Sequence, residues 1–115
     1  QVRKSKGLPP LEKKKKKNHP WFFQKLDERN RLMTLSCKVH NTEIAPRKRM
    51  IDAILREWDY LTDELRERKQ KELDSLRRMI AEYQKEEDAL DEQVRAIREE
   101  LRTYNNEHKV YKNWE

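Results

Sequence analysis

The C-terminal half of this sequence carries a regular apolar repeat with no helix-breaking residue in it. Steps of three and four alternate, which is the spacing of a heptad seam on an α-helix. The first stretch consists of Ile51, Ile54, Trp58, Leu61 and Leu65. The second consists of Leu73, Leu76, Ile80, Tyr83, Glu87, Leu90, Val94, Ile97, Leu101, Tyr104, His108 and Tyr111. Because no glycine or proline follows Pro46, we predict one long coiled-coil helix over about 47–112.

The composition supports an all-helical chain. Charged residues make up 43% of the 115 residues, hydrophobic residues 34%, and there is a single glycine. Average globular domains carry about 25% charged and about 45–50% apolar residues. These values exclude a compact α/β or all-β fold and a conventional globular enzyme. The predicted class is all-α and extended, without a compact globular core, and the predicted regions are 1–19, 20–45 and 46–115.

The long helix is expected to complete its core with other helices. Six acids and one lysine lie between Glu82 and Glu92, and Glu87 occupies a seam position. In a parallel homodimer this stretch would face its own copy, and like charges there are destabilising. We therefore predict association with other coiled-coil proteins, or an antiparallel arrangement, in preference to a parallel homodimer.

Residues 20–45 predict a short amphipathic helix with an aromatic cluster. Pro20 suits the first position of a helix, whereas Pro46 predicts a break or kink near Ala45. Trp21, Phe22 and Phe23 give one end of this helix a large aromatic surface. Two interpretations stay open: a hydrophobic anchor that enters a partner's pocket, or packing back onto the long helix as a small hairpin core.

The positive charge is concentrated near the N-terminus. Residues 1–49 carry 15 Lys and Arg against 4 Asp and Glu, whereas residues 50–115 carry 13 against 18. Region 1–19 is predicted to be an extended basic arm, and its docking residues are Lys13, Lys14, Lys15, Lys16 and Lys17. Arg47, Lys48 and Arg49 form a second cluster at a predicted helix N-terminus, where the macrodipole disfavours cations. Both clusters predict a polyanionic partner; a solvated tail, a nuclear localisation signal and a solvated turn are the alternatives.

Catalysis, cofactors and membrane insertion find no support in the sequence. Cys37 and His40 lie three residues apart, but two ligands fall short of a structural zinc site, and we expect no metal or cofactor. The longest uncharged apolar run, Trp21 to Phe23, is far shorter than the ~20 residues of a membrane span. Since the sequence begins at Gln1 rather than methionine, we expect it to be a segment of a longer chain.

Two classes of function fit these features. The first is a structural coiled-coil subunit of a cytoskeletal assembly in the cytoplasm, associated with a microtubule or a ciliary axoneme, whose arm docks on an acidic lattice such as tubulin. The second is a component of a ribosome or spliceosome, in the cytoplasm or nucleus, whose arm binds RNA phosphates without reading bases. Nuclear and motor-associated scaffolds are further members of the non-catalytic class.

Overall fold

The structure is a computed structural model that describes residues 18–112. Its helices are α1 (Pro20–Val39), a π-helical segment (His40–Ile44), α2 (Ala45–Arg56), a single 3-10 turn (Trp58–Tyr60) and α3 (Asp63–His108). No strand occurs among the described residues. The all-α class and the presence of a long helix are therefore confirmed. Residues 1–17 of the predicted arm lie outside the described residues.

The chain stays helical through Pro46, so the predicted break or kink near Ala45 takes the form of a π-helical irregularity at His40–Ile44 and not of a break. The backbone N–H of Ala45 donates to the His40 carbonyl, five residues back, so the helix widens by one residue immediately before the proline. In a regular α-helix the proline ring would clash with the carbonyl four residues earlier, and a π-turn relieves such crowding. The Arg47 guanidinium also donates to the Glu43 carbonyl at 2.9 Å. The Arg47 side chain thus supplies a hydrogen bond to a backbone carbonyl of the π-helical segment.

The long helix begins at Asp63, so its predicted start at about residue 47 is wrong. The chain leaves α2 at Arg56 and turns between residues 57 and 62. The Arg66 guanidinium donates to the carbonyls of Trp58, at 3.0 Å, and Asp59, at 3.3 Å. The Thr62 hydroxyl accepts the Leu65 N–H at 3.3 Å, which is the hydrogen bond of an N-cap residue. The turn interrupts the first stretch of the seam.

Helix α3 ends at His108, before the predicted limit of about residue 112. Lys109 has φ 53°, the left-handed conformation that commonly ends a helix. The side chain of Asn105 then bonds both backbone groups of Tyr111, accepting its N–H at 2.7 Å and donating to its carbonyl at 3.0 Å. We call Asn105 with Lys109–Tyr111 the C-terminal cap. It folds the chain back, so that Val110 is 1% exposed.

The chain divides into two units, of which the first contains described residues 18–32 and 93–112. Here the beginning of α1 runs antiparallel to the end of α3, since His19 meets Tyr104 and Lys25 meets Glu100. A small hydrophobic core fills the space between them. Its buried members are Phe22, Phe23, Ile97, Leu101 and Val110. The two phenylalanines therefore pack back onto the long helix, the second of the two interpretations of the aromatic cluster.

The second unit contains residues 33–92 and is a helical hairpin. The chain ascends through the rest of α1, the π-helical segment and α2, and returns through the first part of α3. Ser36 contacts Asp91 and Arg47 lies over Tyr83. Residues later in the first half of the hairpin therefore contact residues earlier in α3, so the pairing is antiparallel. Its buried apolar side chains are Ile44, Leu73 and Leu76.

Candidate interaction surfaces

A cluster of rings covers one side of the first unit. The Trp21 ring lies 5.1 Å from that of Tyr104, centroid to centroid, and the His108 ring lies 4.1 Å from Tyr104. His19 Nδ1 is 2.9 Å from the Tyr104 hydroxyl, which fixes the tyrosine against the start of α1. Whereas the neighbouring Phe22 is fully buried, Trp21 remains 39% exposed. An exposed tryptophan held in place by another ring is a common feature of binding surfaces.

Trp21 and Tyr104 form one wall of a groove of about 410 Å³, which we call the aromatic groove. Its other lining residues are Glu99, Glu100, Thr103 and Glu107. The three glutamates are more than half exposed. Glu99 and Glu100 form ion pairs with Arg102 and Lys25, and a carboxylate oxygen of Glu107 lies 4.0 Å from His108 Nε2. The groove therefore combines two aromatic rings, tilted by 36° to each other, with negative charge that is accessible to solvent.

The second unit brings polar residues of the ascending chain against the acidic stretch of α3. The Ser36 hydroxyl donates to Asp91 at 2.7 Å, and Ser36 is itself buried. His40 Nδ1 lies 3.3 Å from a carboxylate oxygen of Glu87, the seam position occupied by an acid. Arg47 lies over the Tyr83 ring at 5.3 Å. This chain's own residues thus face the acidic stretch in an antiparallel arrangement.

Several large apolar side chains of the second unit remain in solvent. None of the residues of α2, Ala45–Arg56, is buried, and Met50 and Leu55 are 53% and 45% exposed. Tyr60 in the turn is 88% exposed. A depression of about 170 Å³ lies beside them, and its lining residues are Ala53, Ile54, Glu57, Leu61 and Lys69. We call α2 and the turn as far as Leu61 the α2 face.

The predicted docking cations fall into three groups. Lys13 to Lys17 lie outside the described residues. Arg47 is bound within the chain, because its guanidinium also reaches a Glu43 carboxylate oxygen at 2.8 Å, whereas Lys48 and Arg49 are exposed. Since the helix is continuous through this cluster, no free helix N-terminus lies beneath it. The macrodipole argument for an external anion at Arg47–Arg49 is therefore wrong.

The seam residues of α3 lie on its packed side. Leu73, Leu76, Val94, Ile97 and Leu101 are buried. The partly buried members of the seam on α3 are Ile80, Tyr83, Glu87, Leu90 and Tyr104; those outside α3 are Ile51, Ile54, Trp58, Leu61 and Tyr111. Leu65 is 40% exposed. In the first unit the chain's own Phe22 and Phe23 pack against this side, so these two are unavailable as an anchor for a partner and only Trp21 is accessible.

Residues 18–112 contain neither a cluster of metal-ligating side chains nor a membrane-spanning helix. Cys37 is exposed, and no group of three potential metal-ligating side chains occurs in this range. No helix in the described part of the chain is long and apolar enough to cross a membrane.

The sequence interpretation missed four residues that shape the fold around these surfaces. Among residues 18–112, Asn105 and Ser36 are the buried polar residues. In the sequence, each is one more polar position on a predicted helix. Arg66 binds the turn through two carbonyls, a role that a repeat pattern does not encode. Thr62 followed by two acids did carry a signal, because this order is typical of a helix start.

Comparisons of the chain with protein-family models, with curated proteins and with solved structures find no match.

Proposed function

We propose that this chain is a non-catalytic structural subunit of a cytoskeletal assembly that is built on a microtubule or axoneme. The α2 face binds a partner helix, and the basic arm docks on an acidic protein lattice. The observation that carries the proposal is the α2 face, an amphipathic helix without a buried residue.

The α2 face has the chemistry of a helix-binding surface. Met50 and Ile54 lie at i,i+4 on α2, as do Ile51 and Leu55, so each pair is adjacent on the helix surface. The depression beside Ile54 is open to a side chain from outside, in the manner of knobs-into-holes packing. Helices with an apolar stripe bury it against another element, and an apolar helix in a groove is a recurrent mode of recognition.

The charge distribution favours an acidic protein over RNA as the partner of the arm. Lys13 to Lys17 would bind either polyanion through charge alone. The acidic stretch of α3, however, presents Glu82, Glu86 and Glu92 to solvent, and these side chains would be repelled by RNA phosphates. The arm alone can bind a lattice of acidic subunits, because partner helices can cover the acidic stretch of α3 and keep it away from the lattice.

Co-sedimentation with stabilised microtubules and with RNA, across a salt series, tests the docking role. We expect the chain to pellet with microtubules, and conversion of Lys13–Lys17 to glutamine to weaken pelleting and its salt dependence. The matched control converts five cations of α3, Lys71, Arg77, Arg78, Lys85 and Arg95, and should bind as the parent does. Equal loss in both variants would contradict a docking arm, and selective pelleting with RNA would favour the ribonucleoprotein alternative.

The helix-binding role requires that the α2 face is not already covered by a second copy of this chain in a parallel homodimer. Cys37 is the only cysteine and is exposed on α1, so two copies that pair in parallel and in register along α1 and α2 would have their Cys37 residues at the same level. We expect sedimentation velocity to give a monomer and mild oxidation to give little disulfide-linked dimer. Efficient crosslinking through Cys37, abolished by Met50→Glu with Leu55→Glu, would assign the α2 face to a second copy instead of a different partner helix.

A further inference from the structure

The aromatic groove of the first unit presents two kinds of group that attract cations. The exposed ring of Trp21 offers the electron-rich face of an indole, which binds cations within about 6 Å of its centroid. Glu99, Glu100 and Thr103 of α3 line the same groove, and glutamate oxygens accept charge-assisted hydrogen bonds. Both carboxylates are more than half exposed although Arg102 and Lys25 pair with them, so a cationic ligand can reach them.

Lys25 shows that the groups of this site hold a cation together. Its ammonium lies 5.9 Å from the centroid of the Trp21 ring and 3.6 Å from a carboxylate oxygen of Glu100. The first distance is at the outer limit of a cation–π contact, so the ring face is only loosely occupied. Lys25 also lies 3.7 Å from Glu28, a second partner that can retain it when another cation enters.

We propose that the aromatic groove binds an arginine side chain in a basic segment of a protein partner. A guanidinium is planar, so it stacks on an indole while its N–H groups reach the carboxylates of Glu99 and Glu100. The groove volume, about 410 Å³, lies in the range of pockets that take a small organic group. This site selects a basic ligand, whereas the arm selects an acidic one, so the proposal stands independently of the proposed function.

Titration of the full chain with a short arginine peptide tests the proposal. The probe is acetyl-Gly-Arg-Gly-Arg-Gly-amide, and its match has citrulline, the uncharged isostere, at both arginines. We expect the arginine peptide to shift the indole N–H resonance of Trp21 and the citrulline peptide to bind at least ~10-fold more weakly. Trp21→Ala should lower the affinity ~10-fold, the scale of one cation–π contact. Trp21→Phe keeps a ring against Tyr104 and should give a smaller loss.

Two charge-matched triple variants distinguish binding at the groove from general attraction to the negative charge of α3. Glu99→Gln, Glu100→Gln and Glu107→Gln together remove three charges at the groove. Glu82→Gln, Glu86→Gln and Glu92→Gln remove three from the acidic stretch of the same helix. We expect only the first set to weaken binding, with unchanged helicity by circular dichroism in both.

Three results would overturn the proposal. One is a Trp21 resonance that does not move at millimolar peptide. Another is equal weakening by the two triple variants, which would show attraction to α3 at large. The third is binding that emerges only after Lys13–Lys17 are converted to glutamine, which would assign the groove to the chain's own lysines.

Discussion

Replacing Asn105 by alanine should detach the C-terminal cap and destabilise the first unit. The change removes both hydrogen bonds to Tyr111, and each contributes about 1 kcal/mol net. Asn105 is 5% exposed, so water does not readily replace the lost side chain. Part of the loss is offset because alanine favours a helix over asparagine by several tenths of a kcal/mol. We expect a decrease of about 1.5 kcal/mol in the free energy of unfolding.

The next residue supplies the control for this experiment. Asn106 is exposed on the same turn of α3, so Asn106→Ala gains the same helix propensity without losing the cap. Urea unfolding followed by circular dichroism measures both variants, and hydrogen exchange of the Val110 and Tyr111 amides reports the cap itself. Asn105→Asp keeps the acceptor for the Tyr111 N–H and should be intermediate. A difference below about 0.5 kcal/mol between the two alanine variants would refute the reasoning.

Three further substitutions test other contacts by urea unfolding. Lys109→Gly should stabilise the chain by about 0.5–1 kcal/mol, because glycine adopts positive φ freely, whereas Lys112→Gly should not; equal effects would contradict the assigned conformation. Thr62→Ala should cost about 1 kcal/mol through loss of the N-cap, and Thr62→Ser should restore most of it. A double-mutant cycle of Ser36→Ala with Asp91→Ala should give a coupling of about 1–2 kcal/mol, and a value near zero would exclude a stabilising hydrogen bond.

The helical class and the packed side of α3 were accessible from sequence, because both follow from local spacing. Leu73, Leu76, Val94, Ile97 and Leu101 repeat at intervals that place them on one side of any α-helix, whatever covers them. The covering surface was not accessible in the same way. Whether Phe22 meets this helix or another protein depends on a contact between residues far apart in the chain, and no local pattern specifies such a contact.

The chain turns at residues 57–62 and not near Ala45, and the difference has a physical reason. Pro46 is a strong local signal against an α-helix, but one π-turn removes the clash at the cost of one irregular hydrogen bond. At residues 57–62 the apolar spacing continues through Trp58 and Leu61, although the backbone there is not α-helical. The candidate surfaces were still harder to predict, because the aromatic groove needs Trp21 and Tyr104 in contact across two helices.

The hydrophobic core of the first unit joins residues that are far apart in the sequence, and this has a consequence during protein synthesis. Phe22 and Phe23 leave the ribosome about 90 residues before Val110 and Tyr111, and at about 5–20 residues per second this delay lasts roughly 4–18 s. During that interval both rings lack the partners that bury them in the finished protein. The nascent chain therefore passes through a period in which an aromatic pair is open to chaperones, to aggregation or to a co-translational partner. The last few residues of α3 and the C-terminal cap end it.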